Sequence, residues 1–183
     1  MKKLPRSFYN RDTTLVAQEL LGKYLVHQVN GITRIGKIVE TEAYLGPHDL
    51  AAHSCKGLTS RTQAMFGPPG HAYIYLIYGV HYCMNIVTEP EGHASAVLLR
   101  AIEPVENIDG RTQGPGLLTR AMQIDKSLYA HDLTGDIFYL ADPGEKTKIE
   151  ITKRPRIGVD YAGDWAKKLL RFYIAGNKYI SKR

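Results

Sequence analysis

The chain has 183 residues, 44% of them hydrophobic and 23% charged, and a formal net charge of +6. Those values suit a globular protein with one substantial core, and no stretch approaches the ~18 apolar residues of a membrane helix. The start, Met-Lys-Lys-Leu-Pro-Arg-Ser, lacks the apolar segment of a signal peptide, and Cys55 and Cys83 lack CxxC spacing, so reduced thiols in the cytoplasm are expected rather than a disulfide or zinc framework.

Residues 4–11 read as a lead-in loop. Asp12 can cap a short helix that carries Leu15, Val16, Leu20 and Leu21 at helical spacing and stops at Gly22. Tyr24 to Val29 reads as a strand, Asn30-Gly31 as a tight hairpin turn, and Ile32 to Tyr44 as a long return strand in which Gly36 marks a bulge or bend. Leu45-Gly46-Pro47 breaks that strand, and Asp49 is expected to cap a short helical piece through Ala51, Ala52 and His53. A polar, turn-rich segment follows to Pro68-Pro69-Gly70.

Tyr73 to Asn85 then reads as a second hairpin. Tyr73, Tyr75 and Ile77 share one face of its first strand, and Ile74, Leu76 and Tyr78 the other. Tyr78-Gly79-Val80-His81 forms the tip. A tyrosine there either folds back onto the protein or offers a planar wedge to a partner with flat faces, such as a base stack. Further strands are expected at Ala94 to Ile102, Asp136 to Leu140, Ile149 to Thr152 and Leu170 to Ile174, with a helix opened by Gly114-Pro115-Gly116. The sum is one α+β domain over residues 1–183, mostly antiparallel, its hairpins stacked in sequence order.

Charge is unevenly spread. Residues 1–140 carry 13 basic and 13 acidic side chains, and residues 141–183 carry 11 and 5. A basic segment suits a polyanion, or is merely a soluble basic surface.

Glu40 and Glu42 stand two apart on a strand and so face the same way. They are either exposed carboxylates or acids aimed into a cleft, and the apolar strand end running into Tyr44 favours the cleft for at least one. Arg100 ends the run Ala-Val-Leu-Leu-Arg and needs a partner if buried, for which Glu40 and Glu42 are the candidates. The pair reads as a structural ion pair or as a clamp on a water molecule. His48, His53, His71 and His81 lack the spacing of a metal motif. No nucleophile elbow, Walker loop or dinucleotide fingerprint is present. Asn85 reads as a turn or sheet-edge group, or as a guard on the rim of a planar ligand.

Several segments together are specific. Gly36 to Pro47, Ala51 to Ser54, Tyr73 to Asn85 and Val97 to Pro104 are similar to the alkyladenine (3-methyladenine) DNA glycosylase family. Gly114 to Leu118, Arg156 to Val159, Gly163 to Ala166 and Arg171 to Tyr173 resemble its later segments. The likeness covers nearly the whole chain in order and is to a bacterial-type member. It implies a curved antiparallel sheet with short helices and a protruding hairpin, no metal and no cofactor; a monomer is expected because no long amphipathic or exposed apolar stripe suggests an obligate interface. The resemblance also implies damaged double-stranded DNA as partner, bound in the bacterial cytoplasm at the nucleoid.

Carried over by position, the resemblance makes Glu42 the general base. Arg100 and the Ile157 carbonyl would hold the attacking water. Tyr44 and His53 would lie on one face of a flipped base and Tyr75 on the other. His53 and the backbone near Ala51 would bond the base edge, Asn85 would exclude guanine's amino group, and Tyr78 would be the wedge. Arg61 is a candidate phosphate contact. Val80 and His81, beside the wedge, depart from the best-known members. From the residues alone, a non-catalytic RNA-binding β-domain and a nucleoside hydrolase stay open.

Overall fold

A computed structural model describes residues 1–144 and 148–183. Its strands, in chain order, are β1 (Lys2–Lys3), β2 (Tyr24–Val29), β3 (Ile32–Tyr44), β4 (Ala72–Ile77), β5 (His81–Thr88), β6 (Ser95–Glu106), β7 (Phe138–Asp142), β8 (Ile151–Arg154) and β9 (Arg171–Ile174). The helices are α1 (Arg6–Tyr9), α2 (Thr13–Glu19) and α3 (Pro115–Ala121), with short 3-10 turns between strands. All the strands belong to one antiparallel sheet in the order β1-β7-β2-β3-β6-β5-β4, and β9 joins β3 and carries β8. The α+β class and the antiparallel sheet are as expected. The expected lead-in loop instead contains α1, a single four-residue turn too brief to leave a periodicity.

The 13-residue β3 is the spine. Its first half lies between β2 and β6, and Glu40 to Glu42 lie between β6 and β9, so that segment is covered along both edges. Gly36 falls at a register shift, where a β-carbon would collide with Ile102. The helices α2 and α3 cover one face, contributing Val16, Ala17 and Leu118 to a core with Leu25, Ile38, Met84 and Leu99. Burying each larger side chain is worth roughly 1.5–3 kcal/mol.

Two opposed bulges decide what the other face presents. Ile38 pairs with Ile102 and Glu40 with Ala101, leaving Val39 as an extra residue on β3. Glu40 then pairs with Ala101 and Thr41 with Leu99, leaving Arg100 extra on β6. Bulges of this kind re-aim side chains. Before them Ile38 faces the helices; after them Thr41 and Ala43 do, with the Thr41 hydroxyl donating to the Ala17 carbonyl of α2 at 2.8 Å. Glu40, Glu42 and Tyr44 are thereby turned to the face away from the helices.

The β4–β5 hairpin alternates as expected. Ile74 enters the helix-side core, while Tyr73, Tyr75 and Ile77 line a cavity on the opposite face. At the tip, Val80 N–H donates to the Ile77 carbonyl at 3.2 Å around Tyr78 and Gly79, whose φ angles are 53° and 68°. A left-handed backbone suits glycine and costs a residue such as tyrosine about 1–2 kcal/mol.

Candidate active site

Tyr44, His53, Tyr75, Asn85 and Arg100 line one cavity of about 300 Å³, together with Ala51, Arg61 and Ile157 at its margins and Tyr78 at its mouth. That volume is at the small end of ligand sites and suits one planar heterocycle. Glu42 lies directly beneath, with no exposed surface.

Two hydrogen-bond donors and one guanidinium hold the Glu42 carboxylate. Ile157 N–H donates to Oε1 at 2.8 Å, Arg100 Nη1 lies 3.3 Å from the same oxygen, and the Tyr44 hydroxyl donates to Oε2 at 2.7 Å. An ionised carboxylate offers about four acceptor sites and two are taken by hydrogen bonds, so roughly two stay open. Burial, and then the charge of Glu42 beside it, push the Tyr44 hydroxyl well above its usual pKa, which keeps it a donor. Burial would lower Arg100, but Glu42 and Glu40 outweigh it and raise the guanidinium further.

Arg100 also links the two acids. Its Nε is 3.3 Å from Glu40 Oε1, too oblique for a hydrogen bond. Glu40 has a network of its own. Arg171 Nη1 donates to Oε1 at 2.9 Å, and the backbone N–H and hydroxyl of Ser181 donate to Oε2 and Oε1 at 2.6 and 3.0 Å. Arg171 Nη1 also donates to the Lys182 carbonyl at 2.7 Å. Glu40 and Glu42 therefore share a face but not a setting: Glu40 ties down residues 181 and 182, and Glu42 lies under the cavity.

The walls are aromatic. His53 packs edge-on against Tyr75, with ring centres 4.6 Å apart, and its Nδ1 is 2.8 Å from the Tyr73 hydroxyl. Burial, helped by the charge of Arg61, lowers the His53 pKa to about 4, so the ring is neutral at physiological pH. Burial pushes Tyr73 up to about 12 and Tyr75 higher still. The Arg61 guanidinium stands 5.2 Å from the Tyr75 ring centre, at the rim. Asn85 is not at a turn or sheet edge but inside β5, buried, with Nδ2 donating to the Tyr73 carbonyl at 3.1 Å. Tyr78 is 87% exposed. Ala51 N–H is already taken by Asp49 Oδ1 at 3.0 Å, and the Ala51 carbonyl accepts from the Tyr161 hydroxyl at 3.3 Å. Among the described residues, no three His, Cys, Asp or Glu converge as for a metal ion.

Comparison with known proteins gives the family. Residues 7–178 match the family model of methylpurine-DNA glycosylase. A Legionella pneumophila (strain Corby) protein described as "Putative 3-methyladenine DNA glycosylase" is 64% identical over 182 residues, covering 100% of both chains. Proteins of the same description from Myxococcus xanthus and Clostridium acetobutylicum are each 47% identical, over 100% and 98% of this chain and 95% and 97% of their own. The chain belongs to the methylpurine-DNA glycosylase family.

The glycosylase holds its pocket wall with a pair that sequence reasoning missed. Asp49 is no simple helix cap, since the helical turn begins only at His53–Lys56. Its carboxylate binds Arg156 through two bonds of 2.5 and 2.9 Å, both side chains fully buried. Arg156 also donates to the Ala43 carbonyl at 2.8 Å, and its guanidinium stands 4.7 Å from the Tyr44 ring centre. This leaves the other ring face for the cavity. The pair also changes the charge reading: Arg156 and Arg171, two of the 11 basic residues after position 140, are buried against Asp49 and Glu40. No helix among the described residues is long and apolar enough to cross a membrane.

Proposed function

We propose that the protein is a monofunctional glycosylase that removes alkylated or deaminated purines from double-stranded DNA. Its substrate class comprises 3-methyladenine, 7-methylguanine, hypoxanthine and ethenoadenine. One observation carries the reading: a buried carboxylate with acceptor capacity to spare, paired with a guanidinium and seated under a ring-walled cavity the size of a single base. A non-catalytic stacking platform has no use for such a buried acid.

A base inside a duplex is unreachable and must be rotated out, at a cost of a few kcal/mol. Tyr78 fills the gap it leaves, and its strained, exposed setting at the hairpin tip supports that role. Stacking on an aromatic ring is worth ~1–3 kcal/mol per base, so the rings of Tyr44 and Tyr75 together offset the extrusion. His53 bonds the base edge through Nε2, since Nδ1 is engaged by Tyr73. With its N–H on Asp49, Ala51 has only its carbonyl to offer. Asn85 is locked by the Tyr73 carbonyl and stands against guanine's exocyclic amino group. Arg61 at the rim meets a phosphate.

The water takes an open acceptor site on Glu42, beside Arg100 and the Ile157 carbonyl. Its oxygen bonds to the sugar C1′ as the glycosidic electron pair leaves with the base, and its proton passes to Glu42. The sugar is cationic in the transition state, so a nearby anion stabilises it. The abasic strand is left uncut, and the protein acts as a single-domain monomer.

The test is incubation with duplexes carrying one alkylated purine or hypoxanthine. Free base and alkali-labile sites are expected. Tight binding without base release would point to a binding module, and nicking without alkali would remove the monofunctional assignment.

A further inference from the structure

A second hollow lies on the other flank of α3. At one end of this helix Pro115 lines the ring-walled cavity. Gly116 packs so closely on the hairpin that a β-carbon there would meet His81 Cβ at 2.8 Å. Further along, Arg120 lines the second hollow, which Arg34, Arg111 and Asp109 complete. Three guanidiniums therefore share a concave surface with one carboxylate.

Among the described residues none of these three is in an ion pair, whereas five of the other eight arginines, Arg6, Arg11, Arg100, Arg156 and Arg171, are. Arg34 donates from Nη1 to the Asn107 carbonyl at 2.5 Å, but its Nε is buried without a partner among the described residues. Guanidiniums gathered in one hollow repel. An anion that accepts from several of them relieves that, and a phosphate matches their planar fork. Pro115 and Arg120 are roughly 8 Å apart along a helix axis. That is on the order of two phosphate steps of one DNA strand, at ~3.4 Å of axis each.

We propose that Arg34, Arg111 and Arg120 form a second anchor for the DNA backbone, holding a phosphate of the duplex that flanks the damaged base. The inference rests on the reading that the protein acts on duplex DNA. It adds a site apart from the base pocket and from Arg61.

The experiment is a neutralisation scan. Each phosphate of a single-lesion duplex is replaced in turn by an uncharged methylphosphonate, and binding is measured with wild-type protein and with R111A/R120A. One or two positions away from the flipped nucleotide should weaken wild-type binding roughly tenfold while leaving the variant indifferent. The variant's slope of log affinity against log salt should be shallower by about 1 for each phosphate it no longer holds. R120E, with an unchanged thermal melt, should bind more weakly than R120A. Wild-type affinity and salt slope in R111A/R120A would overturn the anchor, as would a loss with no positional signature that extends equally to heparin. Base release by the wild-type protein separates the two ideas. If it is present and the scan is flat, only the anchor fails; if it is absent, the glycosylase reading has failed first.

Discussion

Tyr44 and Glu42 stand two apart on β3, and the hydroxyl of the first donates to Oε2 of the second over 2.7 Å. One phenol thus closes a cavity wall and orients the acid below it. Removing only the hydroxyl should separate these jobs. Tyr44→Phe keeps the ring, so affinity for a lesion duplex should stay within about threefold. A hydrogen bond to a charged group is worth ~1.5–3 kcal/mol, so single-turnover base release should fall roughly tenfold to a hundredfold. An unchanged rate would mean that Glu42 needs no help from the phenol.

Glu42→Gln should retain binding to a duplex with a stable abasic analogue. Proton transfer by a positioned base contributes typically 10²–10⁴-fold, so base release should drop by about 10³-fold or more. Near-normal turnover would refute the role of Glu42.

Tyr78 carries an exposed ring on a left-handed backbone. Tyr78→Ser should slow excision of a paired lesion more than that of the same lesion in a single strand, where no stack has to be filled. The matching measurement is the ratio of single-turnover rates on the two substrates. Equal losses on both would end the wedge assignment.

Asp49→Ala strands the Arg156 guanidinium without a counter-charge in a buried site. Breaking a buried pair from one side costs about 3–5 kcal/mol, so the urea midpoint should fall accordingly. A loss under about 1 kcal/mol would mean that water reaches Arg156 and that the wall is not held this way.

His53 has a folded pKa of about 4, below its ordinary 6.5. The unfolded chain therefore binds more protons between those values, and stability rises with pH there. The contribution is complete above about 6.5 and is lost as pH falls toward 4. NMR of the His53 ring should show the neutral form at pH 5.5. A midpoint near 6.5 would show that the ring is solvated rather than set in the wall.

Much of the sheet was legible because local rules decide it. Asn30-Gly31 set a hairpin whose strands end where expected, and alternation put Tyr73, Tyr75 and Ile77 on one face of β4, the face that lines the cavity. The bulges at Val39 and Arg100 were not legible. Neither residue is a glycine, and each bulge exists only because the partner strand slips with it. Asp49 and Arg156 escaped for a related reason. They are 107 positions apart, and an aspartate before Leu-Ala-Ala reads equally well as a cap. Resemblance supplied the choice between Glu40 and Glu42, which periodicity leaves equal. The structure gives the physical distinction, since Glu40 accepts from Ser181 and Arg171 and Glu42 from Tyr44 and Ile157.

The bond that Ser181 donates to Glu40 and the one that Arg171 donates to the Lys182 carbonyl have a practical side for anyone designing variants of the protein. Glu40 is one guanidinium away from Glu42, so a substitution that displaces residues 181 and 182 reaches the same wiring that aims the acid. Kinetic comparisons among variants are best made with Ser181 and Lys182 left as they are.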